Sequence, residues 1–114
     1  YAPKADLAIV EGSQEAVVKK INELAAEAKA HGELVGIIAT DETKDRYQEG
    51  LVVSIGSRRE EETIAHHLYE VLREFDQSAV RFIYSEAFYT PRMGQAIMNR
   101  LLKAAGHKII QVDK

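Results

Sequence analysis

The chain has 114 residues, of which 46% are hydrophobic and 29% are charged, and its formal net charge at pH 7 is -3. This length holds one hydrophobic core, and the composition is typical of a folded globular domain. The net negative charge and the lack of a lysine and arginine cluster argue against strong nucleic-acid binding. There is no apolar run of about 18 residues to span a membrane. Cysteine is absent, which is consistent with a cytoplasmic protein.

The first half of the chain alternates between strand-like and helix-like apolar patterns. Residues 5–10 predict a first strand, and Ser13 predicts the N-cap of a helix that ends near Gly32. Residues 34–39 are rich in β-branched side chains and predict a second strand. The polar residues 40–50 follow, with room for one or two helical turns.

The second half continues this alternation, with predicted strands at residues 51–55, 80–85 and 107–112. Ser57 and Glu60 match a capping box at the start of a second helix, and Thr90-Pro91 predicts the start of a third. The pattern predicts an α/β fold: a Rossmann-like three-layer α/β/α sandwich whose mostly parallel five-stranded sheet has helices on both faces. The short connection between the second and third strands leaves the direction of that pair open.

The carboxyl ends of the strands are where ligands bind in open α/β sheets. One candidate site is the strand–glycine–helix turn of Gly56, Ser57 and Arg58, which offers backbone N–H groups to a phosphate. Three glutamates at residues 60–62 crowd the same helix start, so a plain helix cap is the favoured interpretation. Glu86 follows the fourth strand, and we expect it to be a solvent-exposed loop acid rather than a ligand contact.

The last predicted helix carries a second candidate surface, made by Asn99, Arg100 and Lys103. These residues lie within about one turn of one another and form either a docking surface or a simple polar outer face. His66 and His67 point about 100° apart on a helix and so do not share one metal ion easily. No metal site and no catalytic residue are predicted in this chain.

Residues 93–105 closely resemble the signature of the C-terminal domain of two-domain threonylcarbamoyl-AMP synthases. Residues 53–57 and 68–76 give weaker support, and the resemblance covers essentially the whole chain in the expected order. It implies that residues 1–4 are the end of an interdomain linker and that residues 5–114 are an accessory C-terminal domain.

The resemblance also implies a function. Enzymes of this family condense L-threonine, bicarbonate and ATP into threonylcarbamoyl-adenylate, which supplies threonylcarbamoyladenosine modification of tRNA. Catalysis, with ATP and magnesium, is implied to belong to an N-terminal YrdC-like domain, the expected partner. Tyr1, Ala2, Pro3 and Lys4 match the part of the linker that covers the substrates.

We therefore expect this chain alone to be inactive, with no cofactor of its own and an accessory or regulatory role. Two alternatives stay open. The chain is either a module that binds a nucleotide or another small anion in the strand-end crevice, or a docking and oligomerisation domain, including a homodimer.

Overall fold

The computed structural model describes residues 3–112. Within them, five strands and three α-helices alternate along the chain: β1 (Asp6–Glu11), α1 (Gln14–Ala30), β2 (Val35–Ala39), β3 (Leu51–Ser54), α2 (Glu61–Asp76), β4 (Phe82–Glu86), α3 (Gly94–Ala104) and β5 (Ile109–Gln111). A short 3-10 turn, Lys44–Arg46, lies in the polar segment between β2 and β3. The strand order is β3-β2-β4-β1-β5, and all four strand pairs are parallel, β2 with β3 included.

The core has two layers, one on each face of the sheet. Because successive side chains of a strand point to opposite faces, Ile37 packs with α1 whereas Ile38 packs with α2 and α3. Each helix buries one apolar stripe against the sheet, for example Val17, Ile21 and Ala25 of α1. The predicted three-layer α/β/α sandwich is thereby confirmed.

The start of α1 follows the sequence prediction, but those of the other helices do not. The Ser13 side chain accepts a hydrogen bond from the backbone of Ala16 and caps α1. The predicted capping box of Ser57 and Glu60 is wrong: α2 begins at Glu61, and its N-cap residue Glu60 makes no side-chain hydrogen bond to it. Ser57 lies before the helix, where its hydroxyl accepts from the backbone N–H of Arg59 and donates to Glu42.

The third helix begins at Gly94, so the prediction that Thr90-Pro91 opens it is wrong. Glu61 at the start of α2 accepts backbone hydrogen bonds from Arg92 and Met93, at 3.1 and 2.5 Å. A carboxylate from the neighbouring helix therefore satisfies the donors just before α3.

The linker prediction falls partly outside the described residues, which begin at Pro3, so nothing structural is stated for Tyr1 and Ala2. The backbone N–H of Lys4 donates to Asp76 Oδ1 at 2.9 Å, at the end of α2. Ala5 packs against the core layer under α2 and α3. This end of the chain is therefore held against the domain; the proposed boundary between residues 4 and 5 stays a prediction.

Candidate functional site

A crevice opens where the chain leaves β1 and β4 in opposite directions. The two strands are neighbours, but β1 continues into α1 on one face of the sheet and β4 continues towards α3 on the other. Such a switch point leaves a gap at the carboxyl ends of the strands, because neither connection crosses it. A half-enclosed pocket of about 280 Å³, the strand-end pocket, lies there and is lined by Gly12, Gln14, Val17, Arg58, Glu86, Ala87 and Tyr89.

Glu86 is the buried centre of this site. It is the last residue of β4 and only 2% exposed, so the expectation of an exposed loop acid is wrong. Its carboxylate accepts hydrogen bonds from Thr43 Oγ1 at 2.5 Å and from the Tyr47 hydroxyl, with Thr40 Oγ1 more distant at 3.5 Å. Arg58 Nη2 donates from the other side at 2.8 Å. We call these five residues the Glu86 cluster.

The burial of Glu86 has a specific cause in the segment between β2 and β3. This segment folds back over the strand ends and buries Thr40, Thr43 and Tyr47 against β4. A buried carboxylate is stable only when its oxygens are hydrogen-bonded and its charge is paired. Both conditions are met here.

Tyr47 serves the Glu86 cluster as a permanent hydrogen-bond donor. Burial, together with the negative charge of Glu86 close by, raises the pKa of the Tyr47 hydroxyl well above its usual range. The hydroxyl therefore remains protonated across the physiological pH range and keeps donating to Glu86.

Arg58 is held from two sides. Besides its ion pair with Glu86, the guanidinium lies over the Phe88 ring, with 4.9 Å between its central carbon and the ring centroid. Phe88 itself is fully buried. Cation–π contact and a charge-assisted hydrogen bond together restrict a side chain that is otherwise flexible. The Arg58 side chain is 29% exposed and lines the strand-end pocket.

The donors of the Gly56–Ser57–Arg58 turn already have an internal acceptor. Glu42 accepts hydrogen bonds from Ser57 Oγ at 2.6 Å and from the backbone N–H of Arg58 at 3.2 Å. Burial alone would raise the pKa of the Glu42 carboxyl, but the hydrogen bonds to it, led by those from Ser57 and Arg58, outweigh burial and lower the pKa. A carboxylate thus occupies the position that the phosphate hypothesis gave to a ligand, and the Arg58 side chain is the group of this turn that reaches the pocket.

The structure separates the two candidate surfaces predicted from the sequence. Gly56, Ser57, Arg58 and Glu86 come together at the strand ends, whereas Asn99, Arg100 and Lys103 lie exposed on the outer side of α3. A docking role for this outer face of α3 stays a prediction.

Sequence reasoning missed Thr40, Thr43 and Tyr47 as members of the site. One signal was available: Tyr47 is the single aromatic residue in an otherwise polar segment after a buried strand. An aromatic residue in that position indicates a loop that folds back onto the core.

The described residues also show whether a metal-binding group or a membrane-spanning helix is present. Within residues 3–112, no group of three or more His, Asp or Glu side chains is placed to hold a metal ion, and both His66 and His67 are exposed. No helix among these residues is long and apolar enough to cross a membrane.

Comparison with known proteins identifies the family. The sequence profile described as "Threonylcarbamoyl-AMP synthase, C-terminal domain" matches residues 1–106. The chain belongs to this family of C-terminal domains. The resemblance found in the sequence is therefore confirmed.

Curated relatives of this C-terminal domain are much longer proteins. The threonylcarbamoyl-AMP synthase of Bacillus subtilis is 45% identical over 111 residues, and that of Pyrococcus abyssi is 39% identical over 112 residues. The matched regions cover 97% and 98% of this chain but 31% of each relative.

Solved structures of the family share the fold. Pyrococcus abyssi Sua5, crystallised in complex with L-threonine, matches with a TM-score of 0.86 at 38% identity, over 98% of this chain and 31% of that one. The isolated C-terminal Sua5 domain of a hypothetical Pyrococcus horikoshii protein matches with a TM-score of 0.76 at 34% identity, over 97% of this chain and 100% of the other. In that relative, the domain therefore folds as a separate unit.

Proposed function

We propose that this domain is the accessory C-terminal part of a cytoplasmic threonylcarbamoyl-AMP synthase. In this proposal the whole enzyme makes threonylcarbamoyl-adenylate from L-threonine, bicarbonate and ATP, for threonylcarbamoyladenosine modification of tRNA. An N-terminal YrdC-like domain binds ATP and magnesium and carries out the chemistry. The C-terminal domain positions and regulates that catalytic domain.

The main support for this division of labour is the extent of the matches. The family match covers almost the whole chain, yet the chain represents 31% of the length of two synthases. The remaining two thirds of each relative has ample length for a separate catalytic domain. The polar groups at the strand ends also support it, because Glu86 and Tyr47 are engaged with each other rather than exposed as an acid and a base.

A covering linker is the second part of the proposal. Carbamate and mixed-anhydride intermediates react with water, so an enzyme that makes them gains from a segment that closes over the substrates. Tyr1, Ala2, Pro3 and Lys4 are proposed to be the end of that segment. Pro3 restricts the backbone, which reduces the entropy lost on closing. The hydrogen bond from Lys4 to Asp76 gives the segment an anchor on this domain.

The experiment that tests the proposal is a chimera based on the Bacillus subtilis relative. Its C-terminal region, 45% identical to this chain, is replaced by residues 1–114, and pyrophosphate release from ATP is measured with L-threonine and bicarbonate. We expect activity from the chimera, much less from the relative truncated before this region, and none from the present chain alone.

Two results would contradict the proposal. Turnover by the 114-residue chain alone would place the chemistry in this domain. A chimera no more active than the truncated relative would remove the accessory role. A chimera in which glycines replace residues 1–4 is the control for the linker, and we expect it to lose activity while the domain stays folded.

A further inference from the structure

The strand-end pocket has the features of a small-molecule site, and neither the family match nor the proposed function assigns it a ligand. It lies at the switch point between β1 and β4, where ligands bind in open α/β sheets. Its lining combines apolar contacts from Val17 and Ala87 with polar groups from Gln14 and from Tyr89, whose hydroxyl donates to Glu11. A few polar groups converging on a partly apolar cleft are the usual composition of a ligand pocket.

Arg58 is the cation that lines this pocket. A guanidinium has five N–H donors, and within residues 3–112 its acceptor is a single Glu86 oxygen at 2.8 Å. Glu86 and the Phe88 ring hold the guanidinium in place. The remaining donors are thus pre-positioned at the pocket wall, and little side-chain entropy is lost when an anion binds them.

Glu86 also lines the pocket, but both of its carboxylate oxygens already accept hydrogen bonds from within the domain. Thr43 and Tyr47 donate to one oxygen, and Arg58 and the more distant Thr40 to the other. Its charge nevertheless matters. The lining holds one cation and one carboxylate, so its net charge is zero, and a dianionic phosphate would place two further negative charges beside Glu86.

The size of the pocket also bears on the class of ligand that it can bind. Its volume of about 280 Å³ lies just below the roughly 300–1,000 Å³ range of ligand pockets. The enclosed space is therefore of a size that a small metabolite fills.

We propose that the strand-end pocket binds a small molecule with a single carboxylate, which pairs with the free N–H groups of Arg58 while its apolar part contacts Val17 and Ala87. The ligand class is a short-chain monocarboxylate, not a nucleotide or a phosphate ester. This proposal concerns the domain itself and does not depend on the activity of the whole enzyme.

The test is an NMR titration of the 114-residue chain with propionate, at constant ionic strength. Propionamide, which has the same shape without the charge, and inorganic phosphate are the comparison probes. We expect propionate to give saturable shifts of the Gly12, Gln14 and Ala87 amides. We expect propionamide to give none and phosphate to bind more weakly than propionate.

Variants of two adjacent arginines connect the binding to Arg58. Arg58→Gln is expected to weaken propionate binding at least about tenfold, since a charge-assisted pair is lost. Arg59→Gln removes the same charge from the next residue, which is exposed and outside the pocket lining, and is expected to leave the affinity unchanged. Should Arg58→Gln lose the near-ultraviolet circular dichroism of the folded domain, Arg58→Lys replaces it and is expected to weaken binding severalfold.

The proposal is overturned if propionate gives no saturable shifts at millimolar concentrations in the unaltered chain. Equal affinity in the Arg58 and Arg59 variants would also overturn it, as would phosphate binding more tightly than propionate. None of these results bears on pyrophosphate release by the chimera, so the two proposals fail separately.

Discussion

The Glu86 cluster and the outer face of α3 are both made of polar and charged side chains, but they lie in opposite environments. In the cluster, a carboxylate that is 2% exposed is held by donors from two separate segments, the one between β2 and β3 and the one between β3 and α2. On α3, Asn99, Arg100 and Lys103 project into solvent. The comparison teaches that a polar residue constrains this fold only where burial has removed water as an alternative partner.

The largest effect is expected for Glu86→Ala. The change leaves Arg58, Thr43 and Tyr47 without their common acceptor, and loss of one partner of a buried ion pair costs about 3–5 kcal/mol of unfolding free energy. Urea unfolding followed by circular dichroism measures it. Glu70→Ala, at an exposed position of α2, is the matched control and should change the unfolding free energy by less than about 0.5 kcal/mol. Equal midpoints for the two variants would contradict the role given to the cluster.

A smaller loss is expected for Tyr47→Phe, which removes one donor and keeps the ring. A hydrogen bond to a charged group contributes about 1.5–3 kcal/mol, and the variant should lose an amount in this range in the same urea experiment. Tyr84→Phe is the control: Tyr84 lies on β4, and its hydroxyl has no hydrogen-bond partner among residues 3–112. If both variants were equally stable, the Tyr47 hydroxyl would not support Glu86.

Glu61 is an intermediate case, and its effect should depend on pH. The neighbouring Thr90 hydroxyl and the backbone hydrogen bonds from Met93 and Arg92 lower the pKa of the Glu61 carboxyl. Because the folded state favours the ionised form, this stabilisation is complete above the unfolded pKa of about 4.3 and is lost as the pH falls below it. Glu61→Gln should therefore destabilise the domain at pH 7, and the difference from the unaltered chain should shrink towards pH 3.

The control for Glu61 is Glu62→Gln in the same helical turn. Glu62 pairs with Arg92 at 3.3 Å, but both side chains are more than two thirds exposed, at 67% and 75%. Such pairs contribute little to stability, so thermal unfolding of this variant should follow that of the unaltered chain at both pH values. If Glu61→Gln destabilised the domain equally at both pH values, the charge of the Glu61 carboxylate would not be what stabilises the contact between α2 and α3.

The smallest effect on the fold is expected on α3. A variant with Arg100→Glu and Lys103→Glu should change the unfolding free energy by less than about 0.5 kcal/mol, as exposed substitutions usually do. It should, however, weaken binding to the separately produced N-terminal region of the Bacillus subtilis relative, measured by biolayer interferometry. The control reverses Lys19 and Lys20 on α1, on the opposite face of the sheet. Equal binding by both variants would remove α3 as the docking surface.

The elements of the fold were largely predictable from the sequence because they depend on local patterns. The apolar stripe of α1 and its Ser13 cap involve residues only a few positions apart, and the structure confirms both. The starts of α2 and α3 were not predictable, since Glu42 and Glu61 act there across 15 and 31 positions. The same is true of Glu86, whose donors Arg58, Tyr47 and Thr43 are 28, 39 and 43 positions away.

The sequence by itself determined the α/β class, the alternation of strands and helices, and the family, because hydropathy period and signature residues are carried by neighbouring positions. Only the tertiary structure decided that β2 and β3 run parallel, that Glu86 is buried, and that Arg58 faces a pocket at the switch point. These features depend on which segments meet after the chain has folded. For a charged group such as a carboxylate, the segments that pack around it determine whether it stays in solvent or becomes the fixed centre of a site.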